Sequence, residues 1–253
     1  KASGHQKFDI GDIVYNQFDD PSNEINFIVE TIKKLRKISF QDKQGVNSRG
    51  LDFSDFTVLI RTWKKAKGLM EAFAEAEIPF IVGGVNELFN RPEIKAANSI
   101  FDFLHNDIEE DTLKTYWMAV SNNIDSNKLD EAIDYLKKKM PKPHTFYSSF
   151  SLQDIFWNFI EKANLREEVF IDSENAGIIG NEINEVIFYN LGMFSQIIND
   201  FETIHFMDEP ITKLKLFLNF LNYSADGYYP EGWLSNSYKV PNAVQIMTIF
   251  QSK

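Results

Sequence analysis

Two short apolar runs, at opposite ends of the chain, constrain its fold more than any other feature. Residues 56–60 (Phe-Thr-Val-Leu-Ile) stand near the start, and residues 243–250 (Ala-Val-Gln-Ile-Met-Thr-Ile-Phe) close the sequence. Each is rich in strand formers and too short for a helix, so each reads as a buried strand. A third run, Phe80-Ile-Val82, ends on Gly83-Gly84. Between the first and third runs, Leu69, Phe73 and Ala76 share one helical face over residues 64–76. Strand, helix, strand is the unit of a parallel α/β sheet.

From Pro92, a residue suited to the first turn of a helix, the pattern changes. Ile94, Ala97, Phe101 and Leu104 form a stripe. Further amphipathic segments are predicted near 112–120, 128–140, 152–163, 181–204 and 211–223, with almost no strand-like alternation among them. Ser151 with Asp154 predicts one helix start, and Asp208 before Pro210 predicts another, with Asp208 as its cap. Upstream, a strand is expected near 12–15. A helix capped by Ser22 is expected to carry Ile25, Ile28, Ile32 and Leu35, with Lys33, Lys34, Arg36 and Lys37 at its dipole-favoured end. A polar loop follows over 41–50. A strand that returns after a long helical stretch implies a nested domain. The expected fold class is therefore α/β and mostly helical, a partial parallel sheet interrupted by an all-α inserted subdomain. Residues 1–92 and 240–253 would form the sheet domain and 93–239 the insertion. The 23 phenylalanines argue for thick helical packing.

Composition excludes several chemistries. The sequence contains no cysteine, which removes disulfides, thiolate metal sites and cysteine nucleophiles from this stretch and suits the cytoplasm. A formal charge of −11 argues against a protein that coats nucleic acid generally, but a local groove remains open. No apolar run approaches the roughly 20 residues of a membrane helix, and no secretory signal is visible. The histidines (His5, His105, His144, His205) are scattered without metal-ligand spacing. The acidic run over 107–111 reads as helix-start charge.

The motifs are more specific. Asp55-Phe-Thr-Val-Leu-Ile-Arg-Thr62 and Val244-Gln-Ile-Met-Thr-Ile-Phe-Gln-Ser-Lys253 each run from an apolar strand into a polar tip. Gly83-Gly84 is followed in fixed order by Phe89, Arg91, Glu93, Ile94 and Lys95. Together these resemble conserved segments of the UvrD/Rep-type DNA helicases of superfamily 1. The resemblance covers most of the chain and is strongest over 52–103 and 240–253. It implies the second RecA-like motor domain with its helical insertion, in a protein driven by ATP and Mg2+ and moving on single-stranded DNA. By that resemblance Arg61, Thr62, Trp63, Thr248 and Phe250 would contact DNA. Lys253 would lie beside the nucleotide, just before a missing Gly-Leu-Glu-Phe, so the chain would be one piece of a motor whose first motor domain is its partner. Gly83, Gly84, Phe89, Arg91 and Glu93 would form a domain junction. Departures are visible: Trp63 stands where the family has Asn, and Phe250 where it has His.

Read locally, Arg61 serves equally as a phosphate fork or as a surface residue paired to a carboxylate. Trp63 serves as a base-stacking ring or a buried helix-start anchor. A phosphate-binding loop needs GxxxxGK followed by Ser or Thr. Gly45 and Gly50 have the spacing, but Leu51-Asp52 follows, so this is an ordinary loop and the fragment is not expected to be catalytic alone. The family's duplex-binding Gly-Ile-Gly turn is replaced by Asn122-Asn-Ile-Asp125. Lys137–Lys139, Lys142 and His144 form a basic patch that reads as a solvated helix end. Two alternatives stand beside the motor: a non-motor helical interaction module on a degenerate α/β domain, and the motor segment of a recombination helicase–nuclease.

Overall fold

Pro21 decides where the first helix begins. Its ring fixes φ for the first helical turn and holds the residue before it extended, so Asp20 (φ −136°, ψ 134°) becomes the cap and its carboxylate accepts from the Ser22 amide at 2.7 Å. The expected cap, Ser22, is instead the second residue of the helix. The computed structural model describes residues 13–41, 48–62, 66–82, 85–142, 146, 150–166, 169, 178–223, 225 and 241–249. Residues 13–17 have no regular structure, so the strand expected near 12–15 does not form there. Helix α1 (Pro21–Leu35) leads into a small antiparallel pair, β1 (Ser39–Phe40) and β2 (Arg49–Gly50), at the ends of the expected polar loop. A 3₁₀ turn (Phe53–Asp55) precedes β3 (Thr57–Ile60), α2 (Ala66–Glu75) and β4 (Phe80–Val82). Helices α3 (Val85–Asn90), α4 (Pro92–Leu104), α5 (Glu110–Met118), α6 (Ser126–Lys139), α7 (Leu152–Lys162), α8 (Ile178–His205) and α9 (Pro210–Tyr223) follow, and β5 (Val244–Thr248) returns to the sheet.

The three longer strands form a parallel sheet in the order β3-β5-β4. Registered partners in such a pair project to the same side. Val58, Ile60, Val244, Ile246, Phe80 and Val82 therefore share one face, and they pack with Val29 and Ile32 of α1 and Leu69 and Phe73 of α2. The 3₁₀ turn is clasped from outside. Arg36 lies 3.9 Å over the Phe53 ring and ion-pairs with Asp52, while Arg49 grips Asp55 with two hydrogen bonds of 2.6 Å. Those bonds hold the Asp55 carboxyl below the usual carboxylate range. Burial pushes Asp52 up, but hydrogen bonds from Asn242 and the Phe53 amide, with Arg36 nearby, bring it below its ordinary value.

A second, larger apolar core belongs to the helices from α3 to α9. The phenylalanines fill it as their abundance suggests: Phe101 meets Phe217 edge-on at 4.9 Å, and Phe194 packs between Phe101 and Phe156 at 6.2 and 5.7 Å. One polar clasp closes this block. The Glu202 carboxylate of α8 accepts from the Leu152 and Gln153 amides and the Ser151 hydroxyl, at 2.8, 3.1 and 3.0 Å, capping α7 from a distant helix. Lys213 of α9, only 3% exposed, lies 3.6 Å from Glu202 and donates to the Phe150 carbonyl. No described helix is long and apolar enough to cross a membrane.

Asp102 on α4 makes the fold pH-sensitive. Burial, then the Asp107 carboxylate, push its carboxyl up to about 6, against a smaller opposing pull from His105. The native chain therefore holds a proton that the unfolded chain releases between about pH 4 and 6, so this group's contribution falls as pH rises through that window. The shift corresponds to at most about 3 kcal/mol, which solvent screening of a half-open group cuts to about 1 kcal/mol. Asp102→Asn should gain about that much on the wild type between pH 4 and 7 in urea unfolding. An identical pH dependence for both proteins would count against it.

Candidate functional site

The two polar tips meet at one end of the sheet. Ile60 and Thr248 are registered partners, and the Ile249 amide donates to the Ile60 carbonyl at 3.0 Å, continuing the pairing one step past the ladder. Arg61 and Thr62 leave β3 there, both exposed. This is the C-terminal end of parallel strands, where ligand crevices of α/β sheets open. No ion pair joins Arg61 to another described residue, and its five-donor fork is of a kind that suits an anion. Thr248 is different: at 3% exposure its side chain lies on the helix-covered face with Val244 and Ile246. It sits beneath the rim rather than on it. Trp63, Phe250 and Lys253 lie outside the described residues.

The far end of the sheet sets this alignment. The Asn242 Oδ1 accepts from the Ser54 amide at 3.0 Å, the Val244 amide donates to Pro79 and the Gln245 amide to Phe56. The Asn242 amide also donates to Glu185 of α8 at 3.4 Å. Asn242 thus joins β5 to the turn before β3 and to the helical block. No local pattern in the sequence marks it, because its partners are far along the chain.

The junction residues fall into a second constellation. Arg91 donates from Nη2 to the Phe80 carbonyl of β4 at 3.0 Å, and its guanidinium lies 4.5 Å over the Phe80 ring. Its Nε is 3.6 Å from Glu93, which is buried and accepts from the Asn190 amide of α8 at 2.7 Å. A chain of polar contacts therefore runs from β4 through the start of α4 to α8. Phe89 packs against the helical core. Gly83 and Gly84 lie outside the described residues. Asn190 is the member that sequence reading missed.

Two other places settle into local roles. Asp125 caps α6, accepting from the Asn127 and Lys128 amides at 2.8 and 3.4 Å, so a carboxylate already occupies the amides that could receive a phosphate. Lys137 is paired with Glu110 and Asp134 at 2.7 and 3.1 Å, which reduces the basic patch; His144 lies outside the described residues. Hydrogen bonds from Lys114 and Lys137 hold the Glu110 carboxyl below its ordinary value. Asp208 is not the side-chain cap of α9. Its carboxylate pairs with His205 at 2.7 Å, and the Glu209 carbonyl takes the first helical bond, from Lys213. Among the described residues no group of three or more His, Asp or Glu is placed to hold a metal ion.

Comparison with known proteins converges on one family. Residues 3–161 match the model of the UvrD-like helicase C-terminal domain. The chain is 21% identical over 260 residues to an ATP-dependent helicase/nuclease subunit of Lactobacillus gasseri, covering 91% of this chain and 20% of that protein. The protein of the same name from Lactobacillus acidophilus is 20% identical over 259 residues, with the same coverage. Its namesake from Staphylococcus aureus is 24% identical over 127 residues, half of this chain and 10% of its own length. The chain spans about a fifth of the length of the first two relatives.

Because Glu93 is buried, its link to α8 can be tested by stability. Asn190→Ala removes the 2.7 Å donor and leaves the carboxylate underserved, which should cost about 1–3 kcal/mol in urea unfolding. An unchanged midpoint would mean that the contact is incidental.

Proposed function

The chain belongs to the family of UvrD-like helicase C-terminal domains, and from that premise we propose that it is the second motor domain, with its helical insertion, of an ATP-dependent DNA helicase. Residues 1–92 and 240–253 make up the RecA-like part and 93–239 the insertion; two separate apolar cores support such a division, with Leu88 and Phe89 of α3 packing into the helical one. The observation that carries the functional reading is the pairing of Ile60 with Thr248, which brings two distant tips to one end of one sheet. In this reading single-stranded DNA lies across that end. Arg61 offers its fork to a phosphate, Thr62 a hydroxyl, and Trp63 and Phe250 rings for base stacking. Thr248 shapes the floor beneath them.

ATP with Mg2+ would sit between this domain and a first motor domain of the same protein, supplying the free energy that closes and opens the cleft. The residues present fit an auxiliary part only. Gly45 to Gly50 is followed by Leu51-Asp52, without the Lys and Ser or Thr that hold phosphate and metal. Lys253 is the residue assigned to the nucleotide side. The relatives' names, as helicase/nuclease subunits, favour the recombination helicase–nuclease version of this reading, in the cytoplasm. One observation favours the rival, a non-motor interaction module: the α6 amides are capped by Asp125 and closed to a duplex phosphate.

Arg61→Ala in the intact protein should weaken single-stranded DNA binding about tenfold and reduce the salt slope of log affinity by about 1, with unfolding unchanged. Equal affinity and slope in a fluorescence titration would remove the tip from the DNA track. Residues 1–253 alone should release no phosphate from ATP above background. Steady turnover by the purified chain would overturn the division of labour.

A further inference from the structure

Helix α8 carries a glycine near its middle, where glycine weakens a helix. Close packing does not explain it: apart from the helix itself, no described residue comes within 4 Å of the place where a Cβ on Gly192 would stand. The space is a cavity of about 220 Å³, lined among the described residues by Tyr189, Gly192, Met193, Ser195 and Gln196. Tyr189, Gly192, Met193 and Gln196 recur at helical spacing and share one stripe of α8. A cavity of about 150 Å³ accepts benzene, so this one has room for two fused rings.

The polar groups give the cavity its chemistry. Ser195 is only 5% exposed. Its Oγ accepts from the Trp157 indole at 2.8 Å and from the Gln153 amide at 3.2 Å, which occupies both lone pairs. The hydroxyl proton has no acceptor among the described residues, a costly state in a buried group that an incoming acceptor would relieve. At the next residue, the Gln196 amide nitrogen donates to Asp200 at 2.7 Å, which fixes the amide and leaves its Oε1 to accept. Burial pushes the Tyr189 hydroxyl up, so it stays protonated. A donor and an acceptor on adjacent residues match the lactam edge, N–H beside C=O, of a planar heterocycle. The bare backbone at Gly192 lets a flat ring lie close to the helix. The described lining carries no charge, and the Asp200 carboxylate that holds Gln196 would repel a phosphate.

We propose that this cavity binds a nucleobase, with Ser195 donating to its carbonyl, Gln196 accepting from its ring N–H, and Gly192 and Met193 against its face. The described lining belongs to α8 alone and includes no part of the sheet, so this site and the strand tips fail separately.

The test titrates inosine, whose base has two fused rings and a lactam edge, into the full-length polypeptide and follows binding by calorimetry. Purine riboside, the same ring system without the lactam, should bind at least about fivefold more weakly. Gly192→Leu fills the cavity and should weaken inosine at least about tenfold. Its melting temperature should be unchanged or higher, because leucine is the better helix former. No inosine binding up to about 10 mM, equal binding by Gly192→Leu, or equal affinity for the two nucleosides would overturn the proposal. A lowered melting temperature for Gly192→Leu would mean that the polypeptide fills the space itself, and would overturn it equally. A short single strand carrying hypoxanthine, set against the same strand with an abasic site, then identifies the source. If the base enters from DNA, the first strand displaces inosine and the second does not; if only free nucleosides enter, neither does.

Discussion

The fold depends on β5 lying between β3 and β4. Among the described residues neither outer strand pairs with the other, so the parallel sheet does not form without β5. Val244 and Ile246 complete the core with α1 and α2, and Asn242 fastens the start of β5 to Ser54. That anchoring fixes the register, and the register brings Thr248 opposite Ile60. A slip of one residue would turn Val244 and Ile246 outward and move the tip that adjoins Arg61. Core packing and site geometry are thus set by the same pairing.

Buried and half-buried polar groups between elements then orient the helical block on the sheet. Arg91, Glu93 and Asn190 link β4, α4 and α8, while Glu185 reaches Asn242. Within the block, Glu202 and Lys213 bind α7, α8 and α9 around the Phe150 carbonyl. Buried charges are weak sources of net stability, because desolvation offsets most of their attraction. Their effect is selective: a helix docked in another orientation would leave them without partners. The phenylalanine core supplies the general cohesion, and these contacts choose among ways of using it.

Much of the fold was legible because its signals are local. Short apolar runs marked β3, β4 and β5, and helical stripes placed α4 to α9, with Ser151 capping α7 as the sequence implies. Errors arose where two residues compete for one role, as Asp20 and Ser22 do beside Pro21, and where a short helix such as α3 has no full stripe. The clasp residues were not legible. Asn190, Asn242 and Glu202 act on partners far along the chain, and nothing near them signals it. At the candidate site, Arg61 as an exposed tip followed from its place after an apolar strand. The burial of Thr248 was also within reach, because the period-two alternation through Val244 and Ile246 puts it on the core side.

The central position of β5 governs the order of assembly on the ribosome. Synthesis delivers α1, β3, α2 and β4 early, but their sheet stays unzipped until residues 244–248 emerge from the exit tunnel. The intervening helices, rich in short-range contacts, can consolidate during that interval and bring β5 back to β3 and β4. Translation that stops before β5 leaves Phe80, Val82 and Val58 without their central partner, as sticky apolar edges of the kind that chaperones recognise.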